Sequence, residues 1–482
     1  MISKFLKEQK RYTQSDLCEI LECPEEKIVA LIRKLKEYGI VKAVKASDKQ
    51  QFLSEIVDED IEVSDVVENS RECFYVFTFV GVIVLFGRVL KCYPKYLRNK
   101  NEPKQELCQI LKALEKYNSK TQIINMFNYG EESKSFNLLA ILIFLLQDYY
   151  ENGTYYNTKE IIETNGSGEI FWDKTIDETF AVLSHNRPYY VNLQTRRKIT
   201  NDTDYFKRLH ECVLTISSKE LNNADLIDLF ELTEVKLSDA ELEEFGDKEY
   251  ILYRLQKELN VQFNTHKQLV LKTLYAYVEH NGSLINEANL SIFGTNSFNL
   301  VWEKVCADIM DNKLKSEIGN LNLPMPVNNR PESEKMLQDI IEKPFWSITN
   351  CCASDTLIPD IVSIQNINGH RQFIIFDAKY YAPIFQLDKK PINQPGIESV
   401  TKQYLYQLAY EPFIKKYTFD SVANCFLLPT ENDEVIDCGI VSMNMLKEFK
   451  LKDIQVRQIP AKQAFELYLN GRKWDVKTLH II

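Results

Sequence analysis

The stretch "LIPDIVSIQNINGHRQFIIFDAKYY", residues 357–381, limits the fold more tightly than any other part of the chain. Two apolar runs of strand length flank the turn formers Asn366–Gly369, the pattern of a β-hairpin. Each run carries one isolated acid: Asp360 behind Pro359, and Asp377 two places before Lys379. Side chains alternate along a strand, so Asp377 and Lys379 share a face and Ala378 takes the other. The turn brings Asp360 beside Asp377. Two carboxylates a few ångströms apart repel unless a proton or a cation lies between them. A hard divalent ion with oxygen ligands, Mg²⁺ before Zn²⁺, suits such a pair. Proline ahead of Asp360 is tolerable where that strand is irregular or at an edge.

The flanking segments extend this into a domain. "SFNLVWEKVCADIM" (297–310) has helical spacing, "FWSITNCC" reads as a short strand, and the hairpin supplies two more. "SVTKQYLYQLAYEPFIKKY" (399–417) is an amphipathic helix, followed by strand-like "SVANCFLLPT" and "VIDCGIVSM". Helix, three strands, helix and further strands describe a mixed sheet flanked by helices. The first helix carries Glu303, which by itself reads as one more solvated helix acid, and the second carries Gln403 and Gln407 beside aromatics that read as core.

Composition narrows the chemistry. Eleven cysteines without CxxC repeats point to reduced thiols and a cytoplasmic home, and argue against structural zinc. The longest apolar runs, "FVGVIVLF" and "FNLLAILIFLL", fall short of the roughly 18–20 residues of a membrane span, so they read as a buried strand and a core helix. A net charge of −11 excludes an overall basic coat but not a local basic cleft. Six histidines lack HxxxH or HNH-like spacing, and no G-x-x-x-x-G-K-[ST] loop exists, so the chain is not expected to hydrolyse a nucleotide itself.

Upstream, Thr13 and Asp16 signal a capped helix start, and Pro24 opens a second helix with Ile28, Leu31, Ile32 and Leu35 on one face. After Gly39, "IVKAV" and "QQFLSEIV" are expected to form a two-stranded wing, completing a winged helix-turn-helix over 1–55. Arg33, Lys34, Lys36, Lys42 and Lys45 either touch DNA phosphates or form the solvated face of a protein-interaction module. Residues 56–165 read as a mixed α/β or β-rich domain for DNA or partner recognition, and 166–290 as mainly helical. In the latter, Arg187, Arg196, Arg197 and Lys198 accompany Tyr189 and Tyr190, either a nucleic-acid surface or a tyrosine cluster with solvated arginines. Residues 291–482 form the last domain.

"PD" at 359–360, sixteen intervening residues and "DAK" at 377–379 resemble the PD-(D/E)xK nuclease signature. With "WEKVCADIM", "IPDIV", "FDAKYY" and "TKQYLYQLAY" in order, the chain resembles the LlaJI-type restriction endonucleases, which are similar to the McrC nuclease subunit. The resemblance extends to "YPKYL", "GEIFWDKTI" and "YFKRLHECVL". It implies an α+β multidomain chain whose restriction-endonuclease-like C-terminal domain hydrolyses double-stranded DNA with Mg²⁺, as the cleaving half of a bacterial phage-defence system. It further implies a separate McrB-like AAA+ GTPase partner and cognate methyltransferases. Carried over, Asp360 and Asp377 are metal ligands, Lys379 the catalytic lysine and Glu303 the helix acid and a further metal ligand, with Gln403 or Gln407 in support. McrC-like proteins often have further acids near the first helix, where this chain has Asn299. Two other classes remain: a non-cleaving DNA-binding or scaffold subunit on a nuclease-like fold, and a repair or junction nuclease.

Overall fold

The computed structural model describes residues 1–45, 73–118, 137–201, 203–280, 283–284, 290–327, 329–367 and 369–481. The chain divides into two compact units, one built from Met1–Met126 with Ile292–Ile482 and the other from Phe127–Ser291. The N-terminal segments, read from sequence as separate domains, thus lie in the same unit as the C-terminal sheet.

In the first unit, helix Gln14–Ile20 begins at a capping box: Asp16 N donates to Thr13 Oγ1 at 3.1 Å and Thr13 N to Asp16 Oδ2 at 2.8 Å. Helix Glu25–Glu37 follows Pro24 and buries Ile28, Leu31, Ile32 and Leu35, the face its spacing predicts. Strand Val41–Lys45 is the first half of the expected wing, and "QQFLSEIV" lies outside the described residues. The partner observed for that strand is Cys73–Phe77, in a three-stranded sheet completed by Arg11–Tyr12.

A four-stranded sheet runs Ile2–Lys7, Arg88–Tyr93, Val80–Leu85, Ser291–Thr295, with the first pair parallel and the second antiparallel. Every residue of Val80–Leu85 is buried, as its unbroken apolar run predicts. The outer strand approaches it closely at two glycines. A Cβ on Gly81 (φ +142°) would meet Phe293 O at 2.2 Å, and one on Gly294 (φ +158°) would meet Val80 O at 2.3 Å.

The five-stranded sheet has the order Ile361–Ile367, His370–Ala378, Ser421–Thr430, Ile454–Pro460, Ile436–Val441. The first pair is the predicted hairpin, the next two pairings are parallel, and the last is antiparallel with an irregular register. Helices Phe298–Ile309 and Ile397–Lys416 pack against it. Phe373, Phe376 and Phe426 in its middle are completely buried. Two expectations are corrected here. "FWSITNCC" is not one strand of this sheet but a small exposed hairpin, Phe345–Trp346 with Cys351–Cys352. Strand Ile454–Pro460, absent from the sequence reading, inserts between the two C-terminal strands.

The second unit combines helices Leu138–Asn152, Tyr205–Asn223, Lys248–Val261 and Thr265–Glu279 with strands. Gln194–Thr200 pairs with both Thr158–Thr164 and Glu169–Ile170, and Ala181–Ser184 forms a hairpin with Arg187–Tyr190. Among the described residues no helix is long and apolar enough to cross a membrane.

Candidate active site

The hairpin register builds the site. Ile361 lies opposite Phe376, so one step further sets Asp360 against Asp377 at the same end of the sheet. Asp360 Oδ2 accepts from Ala378 N at 3.1 Å, which ties the first acid to the backbone between Asp377 and Lys379. Lys379 Nζ lies 2.8 Å from Asp377 Oδ1, and Asp377 is only 2 % exposed. Asn312, beyond the end of helix Phe298–Ile309, holds Asp360 from behind. Its Nδ2 donates to Asp360 O at 2.9 Å, and its Oδ1 accepts from Val362 N at 3.1 Å.

A single carbonyl couples the remaining parts. Leu427 O, in strand Ser421–Thr430, accepts both Lys379 N at 2.9 Å and the indole Nε1 of Trp302 at 3.3 Å. Trp302 is fully buried and precedes Glu303, so the helix acid is fixed to the strand that fixes the lysine.

Electrostatics mark the cluster as incomplete. Burial, followed by the hydrogen bond and charge of Asp360, holds Asp377 well above the usual carboxylate range, and Lys379 only partly opposes this. Glu303 is pushed up to about 7, first by burial and then by Asp360, with Lys379 and the Asn299 hydrogen bond pulling the other way. Burial pulls Lys379 down, but Asp377, then Asp360 and Glu303, raise it overall. Three carboxylates thus face one ammonium in a shielded place. A proton is shared among them, or a cation joins them.

That charge deficit fits a divalent ion. Mg²⁺ takes one or two carboxylates and fills its other positions with water and phosphate oxygens, and the Asp360–Asp377 pair supplies such an edge. Among the described residues no group of three His, Cys, Asp or Glu forms a ready-made cage. Glu303 therefore stands as an electrostatic neighbour of the pair.

The two glutamines make their hydrogen bonds within the sheet and its surroundings. Gln403 Nε2 donates to Ile375 O at 2.8 Å under the sheet, while its Oε1 is buried without a partner. Gln407 Oε1 accepts from Asn424 Nδ2 at 2.6 Å and Lys452 N at 3.0 Å. No hydrogen bond joins either to Asp360, Asp377 or Lys379 among the described residues. On the same helix Tyr406 feels the charge of the acids: burial, then Asp377 and Asp360, push its phenol up to about 12. Tyr406 and Asn312 were not singled out in the sequence. Tyr406 is one of three tyrosines in "YLYQLAY", and side-chain facing decides among them.

Of the candidate DNA contacts, Arg33 is exposed and Lys34 and Lys36 are half-buried on helix Glu25–Glu37. In the second unit Arg196 stacks over Phe171 at 4.9 Å, and Arg197 pairs with Glu163 at 3.2 Å. Both line a cavity of about 750 Å³.

The family model for "LlaJI restriction endonuclease" matches residues 79–465, a span that includes the whole acid cluster. The chain belongs to the LlaJI restriction endonuclease family. It is also 26 % identical over 420 residues to the type II restriction enzyme BsuMI component YdjA of Bacillus subtilis (strain 168), covering 84 % of this chain and 83 % of that one. Among solved structures it is similar to the half-complex of Thermococcus gammatolerans McrB AAA+ hexamers with bound McrC, at 11 % identity, 97 % and 99 % coverage and a TM-score of 0.36. A second neighbour is the T. gammatolerans McrBC complex, at 12 % identity, 63 % and 85 % coverage and a TM-score of 0.24. As a LlaJI-family member the chain is the nuclease component of a restriction system.

Proposed function

We propose that the protein is a Mg²⁺-dependent endodeoxyribonuclease with a PD-(D/E)xK centre formed by Asp360, Asp377 and Lys379. The observation that carries this reading is the meeting of two acids and a lysine at one sheet end, with Asp377 held above the usual carboxylate range by burial and by its neighbour Asp360. Asp360 and Asp377 would hold the ion, with Glu303 bordering it. When bound, the ion polarises the scissile phosphate and lowers the pKa of water. Lys379 uses one N–H on Asp377 and has two left to orient the attacking water or to offset charge growing on the phosphate. Attack forms one P–O bond and breaks the bond to the 3′ oxygen, which takes a proton and leaves a 5′-phosphate. Glu303, titrating near neutrality, is suited to move that proton.

The first unit's helix pair and three-stranded sheet support a winged helix-turn-helix reading, with Arg33, Lys34 and Lys36 on DNA phosphates. Arg196 and Arg197 offer a second basic surface. For the motor we propose a separate McrB-like AAA+ GTPase, because this chain has no phosphate-binding loop and its Bacillus relative is described as a component. The test is cleavage of modified and unmodified duplex DNA by the full chain, with and without the partner, GTP and Mg²⁺. Wild type should cut only with Mg²⁺, while Asp360→Ala and Lys379→Ala should not. Full cleavage by both variants would remove this site, and a wild type inert under every condition would favour the scaffold reading.

A further inference from the structure

Two residues past Lys379 the chain enters a cavity of about 330 Å³ that the reaction above does not use. Its lining includes Lys7, Lys10, Lys95 and Arg98 from the N-terminal part of the same unit, with Tyr381 and Ala382 from the segment that follows the acid-bearing strand. Four cations around one small cavity stand out in a chain of net charge −11. Among the described residues none of the four is ion-paired.

Two carboxylates, Glu8 in the wall and Glu431 beside Arg98 and Lys7, are too few to balance four cations. Glu8 is already engaged, accepting from the Tyr380 hydroxyl and from Lys95 N at 3.0 Å, and burial outweighs both bonds and the Lys95 charge to favour its neutral form. Arg98 is held in place by the carbonyls of Ala382 and Pro383, the latter at 2.8 Å. Lys95 lies over the Tyr380 ring at 4.5 Å and the Tyr381 ring at 5.7 Å. Lys7 is pulled below its ordinary value by burial, and Arg98 and Lys10 add to the pull against Glu431. Mutual repulsion of fixed cations is relieved by an anion between them.

We propose that this cavity holds a backbone phosphate of the DNA strand being cut, within about three nucleotides of the scissile phosphate. The distance fits: two residues of chain span at most about 7 Å, and one strand of DNA rises about 3.4 Å per nucleotide. Lys7 and Lys10 contact the phosphate oxygens, while Arg98 and Lys95 set the positive wall. The inference rests on the nuclease reading, because it assigns the anion to DNA. A free phosphate or a nucleotide shares the same chemistry, and the experiment separates them.

The full chain, without Mg²⁺, is titrated with duplexes carrying one neutral methylphosphonate at each position around the mapped cut. Wild type should lose about 3–10-fold in affinity at one position within three nucleotides of the cut. The Lys7→Gln/Lys10→Gln double variant should bind unmodified DNA about 3–10-fold more weakly, lose no more at that position, and show a salt slope lower by about 1. Lys10 is exposed, so Lys10→Gln alone serves if the pair fails to fold, with a partial loss at the same position expected. Equal sensitivity of wild type and variant at every position would overturn the proposal. So would protection of Lys7 and Lys10 from acylation by inorganic pyrophosphate but not by DNA, which assigns the site to a free anion. Mg²⁺-dependent cleavage is scored separately: if Asp360→Ala and Lys379→Ala still cut while wild type shows the phosphate pattern, the proposed nuclease centre falls and the phosphate site stands.

Discussion

The five-stranded sheet buries two charged side chains in opposite ways. Arg457, on Ile454–Pro460, is 3 % exposed and every arm of its guanidinium is used. Nε donates to Leu479 O at 2.8 Å, Nη1 to Asp437 Oδ1 at 2.6 Å, and Nη2 to Gln455 Oε1 at 2.8 Å and His480 O at 3.2 Å. Asp377, two strands away, is as deeply buried, but its close neighbours are one lysine and another carboxylate. A satisfied buried charge rivets the last residues of the chain to the sheet. One that must share a single ammonium with neighbouring carboxylates is unsatisfied in charge rather than in hydrogen bonds, and it costs stability until something from outside balances it.

The largest effects should fall on the unsatisfied side. Asp360→Ala, Asp377→Asn and Lys379→Ala should each lower Mg²⁺-dependent cleavage about 10³-fold or more, read as single-turnover plasmid cutting. None should cost much stability, and Asp377→Asn should melt no lower than wild type at pH 8, since it removes a carboxylate the fold disfavours. Arg457→Met should do the reverse. Leaving several buried acceptors unpaired should cost about 2–4 kcal/mol in urea unfolding, with cleavage per folded molecule unchanged. If Asp377→Asn unfolds the protein, or Arg457→Met stays folded and loses activity, the contrast fails.

A pH series sharpens the contrast. Glu303 titrates near 7 in the folded chain against 4.5 for its ordinary value, so the folded state binds more protons across that window. Its contribution is therefore complete below about pH 4.5 and lost as pH rises through 7. Wild type should be less stable at pH 8 than at pH 5, and Glu303→Gln should flatten this by on the order of 1 kcal/mol, allowing for partial exposure. Mg²⁺ should restore wild-type stability mainly at pH 8, where it no longer competes with protons. An equal wild-type-to-variant difference at both pH values would remove Glu303 from the cluster.

What could be read in the sequence follows from how local each feature is. The hairpin, its acids and the lysine two places on were legible because strand alternation and one turn determine them. The Thr13–Asp16 cap and the buried face of helix Glu25–Glu37 were legible for the same reason. Strand Ile454–Pro460 was not, because "IQVRQIP" contains Arg457, whose burial makes sense only once Leu479 and His480 fold back over it. The pairing of Val41–Lys45 with Cys73–Phe77 joins segments more than twenty residues apart, with no turn signal to announce it. Gln403 and Gln407 were singled out by their chemistry, whereas which side chains of that helix feel the acids depends on its rotation, and Tyr406 was missed for that reason.

That rotation sets the smallest effect. Tyr406 feels Asp377 and Asp360, and its phenol, pushed up to about 12, stays a neutral donor throughout the working range. One neutral hydrogen bond from that hydroxyl to the bound phosphate or its water would contribute about 0.5–1.5 kcal/mol, so Tyr406→Phe should slow Mg²⁺-dependent cleavage about 2–10-fold. The shape of the pH–rate profile below pH 9 should not change, because no titrating group is lost. Tyr404, two positions earlier on the same helix, donates to Val441 O at 3.3 Å at the far edge of the sheet. Tyr404→Phe should therefore leave cleavage alone and cost only a little stability. Should Tyr404→Phe slow cutting and Tyr406→Phe not, the helix would reach the acid pair through another face, and the unsatisfied charge on Asp377 would need a different neighbour.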